Sequence, residues 1–372
     1  MSAVVVFIIF AICLIIAIPI SISLGIVAVL PGAFDASFTA SAGYVIRSMV
    51  GGIDSFPLLA VPMFVLAGIL MAHGKISEKL FDVFVYFLGN KRAGIPCAVI
   101  ITCLFYGAIS GSAPATVAAV GSMTIPLLIE LGYEKDFSTA IVAVAGGLGV
   151  IIPPSIPFIM YAMATGESVS DLFLAGIVPG MMISALLIFY AYYYCRRHGE
   201  DREKIQAKMD QLKTKGFVNI LKESIWALLS PVIVLGCIYS GVASPTEAAV
   251  ISVFYSLFVS LFIYKSIKVK QIWGIMVEAM KTYAPILFIL ATSTAFSRVL
   301  TLMQVPQDVS AWIMTHFSNE IVLLLVINVV LLIVGMVMDT TPAILILSPI
   351  LLPIVEHVGM NPIHFGVMMI VN

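Results

Sequence analysis

The sequence predicts an all-α polytopic membrane protein: an inverted-topology repeat with two re-entrant helical hairpins and broken helices. Three observations carry that expectation: the composition, two apolar stretches interrupted near their middles, and a period of nearly 228 residues. Of the 372 residues, 61% are hydrophobic and 10% are charged. A soluble domain carries roughly 25% charge and 45–50% apolar residues. With a mean hydropathy of +1.12, apolar surface must face lipid as well as a core. A soluble single domain, a disordered chain and a nucleic-acid-binding protein are excluded. The five cysteines are odd in number, lie in or beside apolar stretches and show no metal-ligand spacing.

A helical span needs about 20 apolar residues. The runs 3–30, 44–72, 138–165, 171–195, 224–242, 246–264 and 274–303 meet that need. The first has no basic segment before it and is too long for a signal-peptide core, so it reads as a retained span. Two further runs, 94–131 and 319–358, are interrupted by Ser110-Gly-Ser-Ala-Pro-Ala-Thr116 and Asp339-Thr-Thr-Pro-Ala343. The limbs Ile95–Ile109 and Val117–Leu131 reach only about 22 Å each, short of the roughly 30 Å hydrocarbon core. That favours a hairpin whose tip lies inside the membrane over two full spans. The first limb of 319–358 is longer, so limb length separates the two readings less sharply there. The stretch 196–222 is the only long polar segment. Its charges recur at helix-like spacing between Ile205, Met209 and Leu212, which predicts an amphipathic cytoplasmic connector helix.

Sixteen of the nineteen Lys and Arg residues fall in 73–94, at 135, in 196–222 and in 265–270. With each hairpin returning the chain to its own side, these stretches share one side, which the positive-inside rule makes the cytoplasm. The N-terminus is expected there too. The first hairpin then opens to the cytoplasm and the second to the opposite side.

Pro57 and Pro285 lie 228 residues apart, as do Pro114 and Pro342; Pro126 and Pro353, and Gly132 and Gly359, lie 227 apart. The matched segments run in opposite directions, the pattern of secondary transporters with sites at the midplane. The segment Gly146-Gly-Leu-Gly-Val-Ile-Ile-Pro-Pro-Ser-Ile-Pro157 cannot continue a smooth helix through Pro153-Pro154. Its mate in the second half should begin about one residue after Asn372. A second broken helix and a closing span, roughly 50 residues, are expected to follow. The expected organisation has scaffold helices in 1–72 and transport-domain elements in 73–165, the latter holding the first hairpin (94–131) and the broken helix (138–165). A closing span in 166–195 and the connector in 196–222 follow. Second-half scaffold helices occupy 223–273, a scaffold helix and interfacial segment 274–318, and the second hairpin with the start of its broken helix 319–372.

Irregular backbone at membrane depth is tolerated only where it is buried in protein or lines a cavity. Two hairpin tips and a broken helix are therefore expected to converge on a site. Freed carbonyls and hydroxyls make a hard oxygen cage suited to Na⁺, and helix N-termini favour an anionic substrate. First-half candidates are Ser110, Ser112 and Thr116, with backbone at Gly149, Ile152 and Pro154; Ser155, after the Pro-Pro break, faces the same region. Second-half candidates are Thr340, Thr341 and Gly335. Asp339 is an acid in an apolar stretch, costly at that depth and a functional residue by default; the plainer role is an N-cap. Ser and Thr hydroxyls also commonly bond helix backbone in membranes. Arg47 and Arg298 near span ends read as interface anchors. Ser244-Pro-Thr-Glu247 reads as a helix start.

The strings SGSAPATVAAVG at 110–121, GGLGVIIPPSIP at 146–157, GVASPTEAA at 241–249 and GMVMDTTPAILILSPILLPI at 335–354 resemble the large membrane subunit of TRAP (tripartite ATP-independent periplasmic) transporters. Four motifs in order across the chain make the resemblance specific. It implies an ion-transporter-superfamily fold of elevator type in a bacterial inner membrane, importing an organic acid such as sialic acid, another sugar acid or a C4-dicarboxylate. It implies two or more Na⁺ ions, a small four-helix membrane subunit and a periplasmic substrate-binding protein. It places substrate and ion contacts at Ser110, Ser112, Ser155, Asp339, Thr340 and Thr341. The alternative is a stand-alone Na⁺/dicarboxylate symporter or Na⁺/H⁺ exchanger of related inverted-repeat fold. An intramembrane serine protease using Ser110 is disfavoured, because no histidine lies mid-span to act as its base.

Overall fold

Backbone N–H and C=O groups find no water inside a bilayer, so an apolar chain satisfies them within helices. The computed structural model describes residues 2–35, 38–214, 216–316 and 319–372, and every regular element among them is helical. The first copy of the repeat runs through α1 (Ala3–Ile15), α2 (Ile20–Phe34), α3 (Ala42–Ile53), a 3₁₀ turn (Phe56–Leu59), α4 (Ala60–His73) and α5 (Ile76–Leu88). It continues through α6 (Gly94–Ser110), α7 (Ala113–Glu130), α8 (Lys135–Gly146), α9 (Leu148–Ile151) and α10 (Ile156–Thr165). Then come α11 (Val169–His198) and the connector α12 (Arg202–Thr214). The second copy holds α13 (Phe217–Tyr239), α14 (Pro245–Phe258) with a π turn (Val259–Ile263), and α15 (Val269–Leu302). It ends with α16 (Val305–His316), α17 (Glu320–Val337), α18 (Thr340–His357) and α19 (Pro362–Val371).

Shifted by 228 residues, α5, α6 and α7 fall within two residues of both ends of α16, α17 and α18, and the start of α8 falls on that of α19. The sequence period is therefore a period of elements. Among the described residues seven helices, α7 and α18 of the two hairpins included, are long and apolar enough to cross a membrane, with the pair Lys135–Ile151 and Ile156–Thr165 as a further interrupted span.

Two expected spans are corrected. The run 3–30 is α1 and α2, packed on each other and separated by Ala17 at φ 63° and Pro19 at the N-cap of α2. At 13 and 15 residues they reach about 20–23 Å, so neither alone matches the hydrocarbon core. The cytoplasmic N-terminus inferred from one first span loses its ground. The run 44–72 is likewise α3, the 3₁₀ turn holding Pro57, and α4; only Phe56–His73 has the length and hydropathy of a span.

The chain divides into two compact units: Met1–Leu59, Pro157–Leu172 and Lys281–Asn372 form one, and Ala60–Ile156 with Phe173–Met280 form the other. In the second of these units α14 lies along α4 through small side chains. Ala248, Ala249, Ser252 and Ser256 are buried on α14, and a Cβ on Gly74 would come within 2.3 Å of Ser260 Oγ. Close backbone approach through small residues is how helices pack where lipid supplies no hydrophobic drive. The start of α14 is the expected one. Ser244 and Glu247 form a capping box, with Ser244 N–H donating to the Glu247 carboxylate at 2.8 Å and Pro245 in the first turn.

The basic stretches meet at one end of this same unit. Lys79 pairs with Glu223, Arg202 donates to Asn90 O at 3.3 Å, and Tyr264 donates to Glu223 O. Glu200 accepts from Ala93 N–H at 3.0 Å and from the Tyr133 hydroxyl at 2.7 Å, and pairs with Arg202. Stretches 73–94, 133–135, 196–223 and 264–270 thus share one face, as the sidedness argument requires. Lys215, one of the connector cations, lies outside the described residues. The connector's Ile205, Met209 and Leu212 are buried with α5 in one apolar cluster.

The Glu200 side chain is 2% exposed, and its partners close three loops at once. Burial, then the hydrogen bond to Glu200, hold the Tyr133 phenol above the ordinary tyrosine range, so it stays a donor. Replacing Glu200 by alanine leaves the buried Ala93 N–H and the Tyr133 hydroxyl unpaired, at about 1–3 kcal/mol each. We expect Glu200→Ala to lower stability by about 3 kcal/mol, read as a clear fall in Tm of the purified protein; an unchanged Tm would contradict this role.

Candidate functional site

The first-half residues gather at the tip of the α6–α7 hairpin. Gly111 ends α6 at φ 61°, a conformation natural to glycine, and Ser112 begins α7 in an extended conformation. The turn is buried: Ser110 is 2% exposed and Thr116 fully buried. Ser110 Oγ lies 3.0 Å from Thr116 Oγ1, Thr116 donates to Ser112 O at 2.8 Å, and Ser110 Oγ is 3.4 Å from the same carbonyl. These three oxygens form one cluster, and the hydroxyl protons bond within it, leaving hydroxyl lone pairs.

The broken helix seals this tip. Ile156 N–H donates to Gly111 O at 3.2 Å, and a Cβ on Gly111 would sit 2.9 Å from Pro154 O. A Cβ on Gly149 would meet Thr116 Oγ1 at 2.5 Å and Ser112 O at 3.0 Å, and one on Gly107 would meet Gly149 Cα at 2.5 Å. On the other side Gly68, midway along α4, approaches Ser110, and its carbonyl accepts from Tyr106 at 3.1 Å. A turn that touches the middle of one helix and the break of another is not a surface turn. This supports the re-entrant reading that limb length alone left open. Ser110, Ser112, Thr116, Gly149, Pro154 and Ser155 are therefore together. Ser155 donates to Val150 O, satisfying a carbonyl that the Pro153-Pro154 break frees. Ile152 turns its side chain toward Gly180 on α11.

The second-half residues lie in the other unit. Asp339 occupies the N-cap position of α18, yet its side chain makes no capping hydrogen bond, and it is exposed. The plain capping role is thus not the one its carboxylate plays. Thr340 opens α18 and Thr341 is buried beside it. A Cβ on Gly335, the mate of Gly107 in the repeat, would lie 2.9 Å from Asn372 O. Asn328, inside the apolar run of α17, is a polar residue the expected site did not include. Its amide oxygen accepts from Asn372 Nδ2 at 2.8 Å. An asparagine within an apolar run was the available signal.

Arg298, expected to anchor its span at the interface, also borders a cavity of about 260 Å³, with Met163, Ser293, Thr294, Ser297 and Leu345. It is exposed, and among the described residues its hydrogen bond is to Ser48 Oγ at 3.5 Å. Among the described residues no carboxylate pairs with it. A guanidinium beside the hydroxyls of Ser293, Thr294 and Ser297 has the donors to hold an anion.

Each hairpin tip presents the C-terminal end of one helix and the N-terminal end of the next. The first end favours a cation and the second an anion. Among the described residues no group of three or more His, Cys, Asp or Glu gathers, so the tip cluster is of hydroxyl and carbonyl type. Hairpins, a broken helix and a repeated half together define a secondary transport permease.

The comparisons agree. The family model for the tripartite ATP-independent periplasmic transporter, DctM component, matches residues 7–372, and the chain belongs to that family. It is 42% identical to the isethionate TRAP transporter permease protein DctMQ of Oleidesulfovibrio alaskensis over 98% of this chain, spanning 56% of that protein's length. It is 39% identical to the C4-dicarboxylate large permease of Pseudomonas aeruginosa, over 86% of this chain and 73% of that one. With the 2,3-diketo-L-gulonate large permease of Escherichia coli it shares 38% identity over 88% and 75% of the two chains. The YdaH transporter of Alcanivorax borkumensis has a similar fold, with a TM-score of 0.61 at 13% identity, covering 94% of this chain and 84% of that one. These are transport permeases, not enzymes.

Proposed function

We propose that this chain is the ion-coupled permease of a Na⁺-driven importer of small organic acids in a bacterial inner membrane. The observation that carries the reading is the first hairpin tip, where Ser110, Ser112 and Thr116 oxygens meet against the break at Pro153-Pro154. Na⁺ would be held there by hydroxyl lone pairs and freed carbonyls, and a second ion by backbone at Gly335 with Thr340 and Thr341. Ordering a tip around a cation also fixes the following helix N-terminus as an anion site, so ion and substrate binding become thermodynamically coupled. Arg298 holds the acid group of the substrate, with Asp339 contacting ion or substrate. Single-sided clustering of the basic stretches supports their cytoplasmic placement.

The relatives' names range over isethionate, a C4-dicarboxylate and diketogulonate, so the substrate class is a small organic acid; sialic acid remains within the family-based expectation. The family's tripartite description supports a small membrane subunit and a periplasmic binding protein as partners; we infer that the small subunit has four helices. Movement of the hairpin-bearing elements past a scaffold, in elevator fashion, is the transport step we infer.

Asp339 offers a direct test. Asp339→Ala should lower Na⁺-driven uptake at least tenfold while leaving Tm within a degree or two, because no hydrogen bond is lost. Unimpaired uptake would remove Asp339 from the site.

A further inference from the structure

Serine and threonine inside a helix usually satisfy their hydroxyls on the carbonyl one turn back. On α15, Thr292 does so through Phe288 O and Ile289 O at 3.0 and 3.1 Å, and Thr294 through Leu290 O at 2.9 Å. Ser293, between them, does not. It is 1% exposed, and its hydroxyl has no hydrogen-bond partner among the described residues. A buried hydroxyl without a partner is costly, so native structures rarely retain one without a use. Ser293 also lines the cavity that Arg298 lines.

We propose that Ser293 is a substrate-reading residue: its hydroxyl is the hydrogen-bond partner of an oxygen on the organic anion whose acid group Arg298 holds. This rests on the reading of Arg298 as the anion anchor. Ser293 lies five residues before Arg298, about 7.5 Å along the helix axis. Thr294, one turn before Arg298, shares its helix face, and Ser293 and Ser297 border the same cavity. An anion gripped by Arg298 therefore occupies the cavity that Ser293 also lines. Among the described residues lining the cavity, Arg298 is the charged one. The ligand class this selects is a small organic anion with one acid group at Arg298 and a hydroxyl or carbonyl oxygen a few bonds away. A site built to bond such an oxygen rejects the analogue lacking it, because the buried hydroxyl is then left unpaired.

The test uses the full chain with its small membrane subunit in proteoliposomes, under a Na⁺ gradient and with the cognate binding protein. The probes are isethionate, succinate and 2,3-diketo-L-gulonate. For the probe that wild type transports, Ser293→Ala should raise KM about tenfold with Vmax nearly unchanged. Its Tm should be unchanged or higher, since removing an unpaired buried hydroxyl costs the fold nothing. An unchanged KM would overturn the proposal, and so would a lowered Tm with KM unmoved, which marks a structural serine. Arg298→Gln separates the two layers. If it leaves transport intact, the anchor reading falls and this proposal with it. If it abolishes transport while Ser293→Ala keeps the wild-type KM, only the role of Ser293 falls. If wild type transports none of the three, both fall.

Discussion

Arg298→Gln is expected to reduce uptake by about a hundredfold while the protein stays folded. Removing one partner of a charge-assisted contact in a binding site costs about 2–5 kcal/mol, and the exposure of this guanidinium puts the effect toward the lower part of that range. Among the described residues its partner is a serine hydroxyl at 3.5 Å, so losing the charge should cost the fold little. The loss should fall on KM or on binding, since the interaction is with the substrate's acid group in its ground state. Arg298→Lys should recover part of the activity, as a point charge without the planar fork. A glutamine variant with wild-type KM would return Arg298 to the role of interface anchor.

The second large effect is expected at Gly149. A methyl group there would stand 2.5 Å from Thr116 Oγ1 and 3.0 Å from Ser112 O, two of the three oxygens in the tip cluster. The carbonyl is backbone and cannot swing away. Gly149→Ala must therefore push the hairpin tip off the broken helix, at about 1–3 kcal/mol of overpacking strain. The functional loss should exceed that, because the displaced atoms are the proposed Na⁺ ligands. The Na⁺ concentration for half-maximal uptake should rise more than tenfold. Gly236→Ala is the control: a Cβ there meets nothing within 4 Å, so it should leave Na⁺ activation alone. Equal behaviour of the two variants would separate Gly149 from the ion site.

Much of this arrangement is legible in the sequence because it is written in local chemistry. The hairpin tips show as small polar residues and proline inside apolar runs. The connector shows through Ile205, Met209 and Leu212, the three residues it buries, and the helix start at Ser244 through its capping pattern. The repeat is legible because prolines and glycines at fixed offsets mark element ends. The breaks at Ala17–Pro19 and Pro57 escaped because hydropathy stays high through them. Proline alone does not decide, since Pro285, the mate of Pro57, lies within a continuous α15. For a different reason the cavity beside Arg298 was not legible. A cation near a span end looks the same whether it meets lipid headgroups or a cavity. That cavity is walled by Met163 and Leu345 from distant parts of the chain. Asn328 was visible as an asparagine in an apolar run, but its partner Asn372 is fixed only by packing.

One measurement tests Na⁺-coupled, partner-dependent uptake directly. The chain and its small membrane subunit are reconstituted in proteoliposomes with an inward Na⁺ gradient, and uptake of labelled isethionate, succinate or diketogulonate is followed with and without the periplasmic binding protein. The expected result is uptake of one of them that needs both the gradient and the binding protein. Uptake without Na⁺ would contradict the ion site at the hairpin tips. Na⁺-driven uptake of free substrate without the binding protein would instead mark a stand-alone symporter.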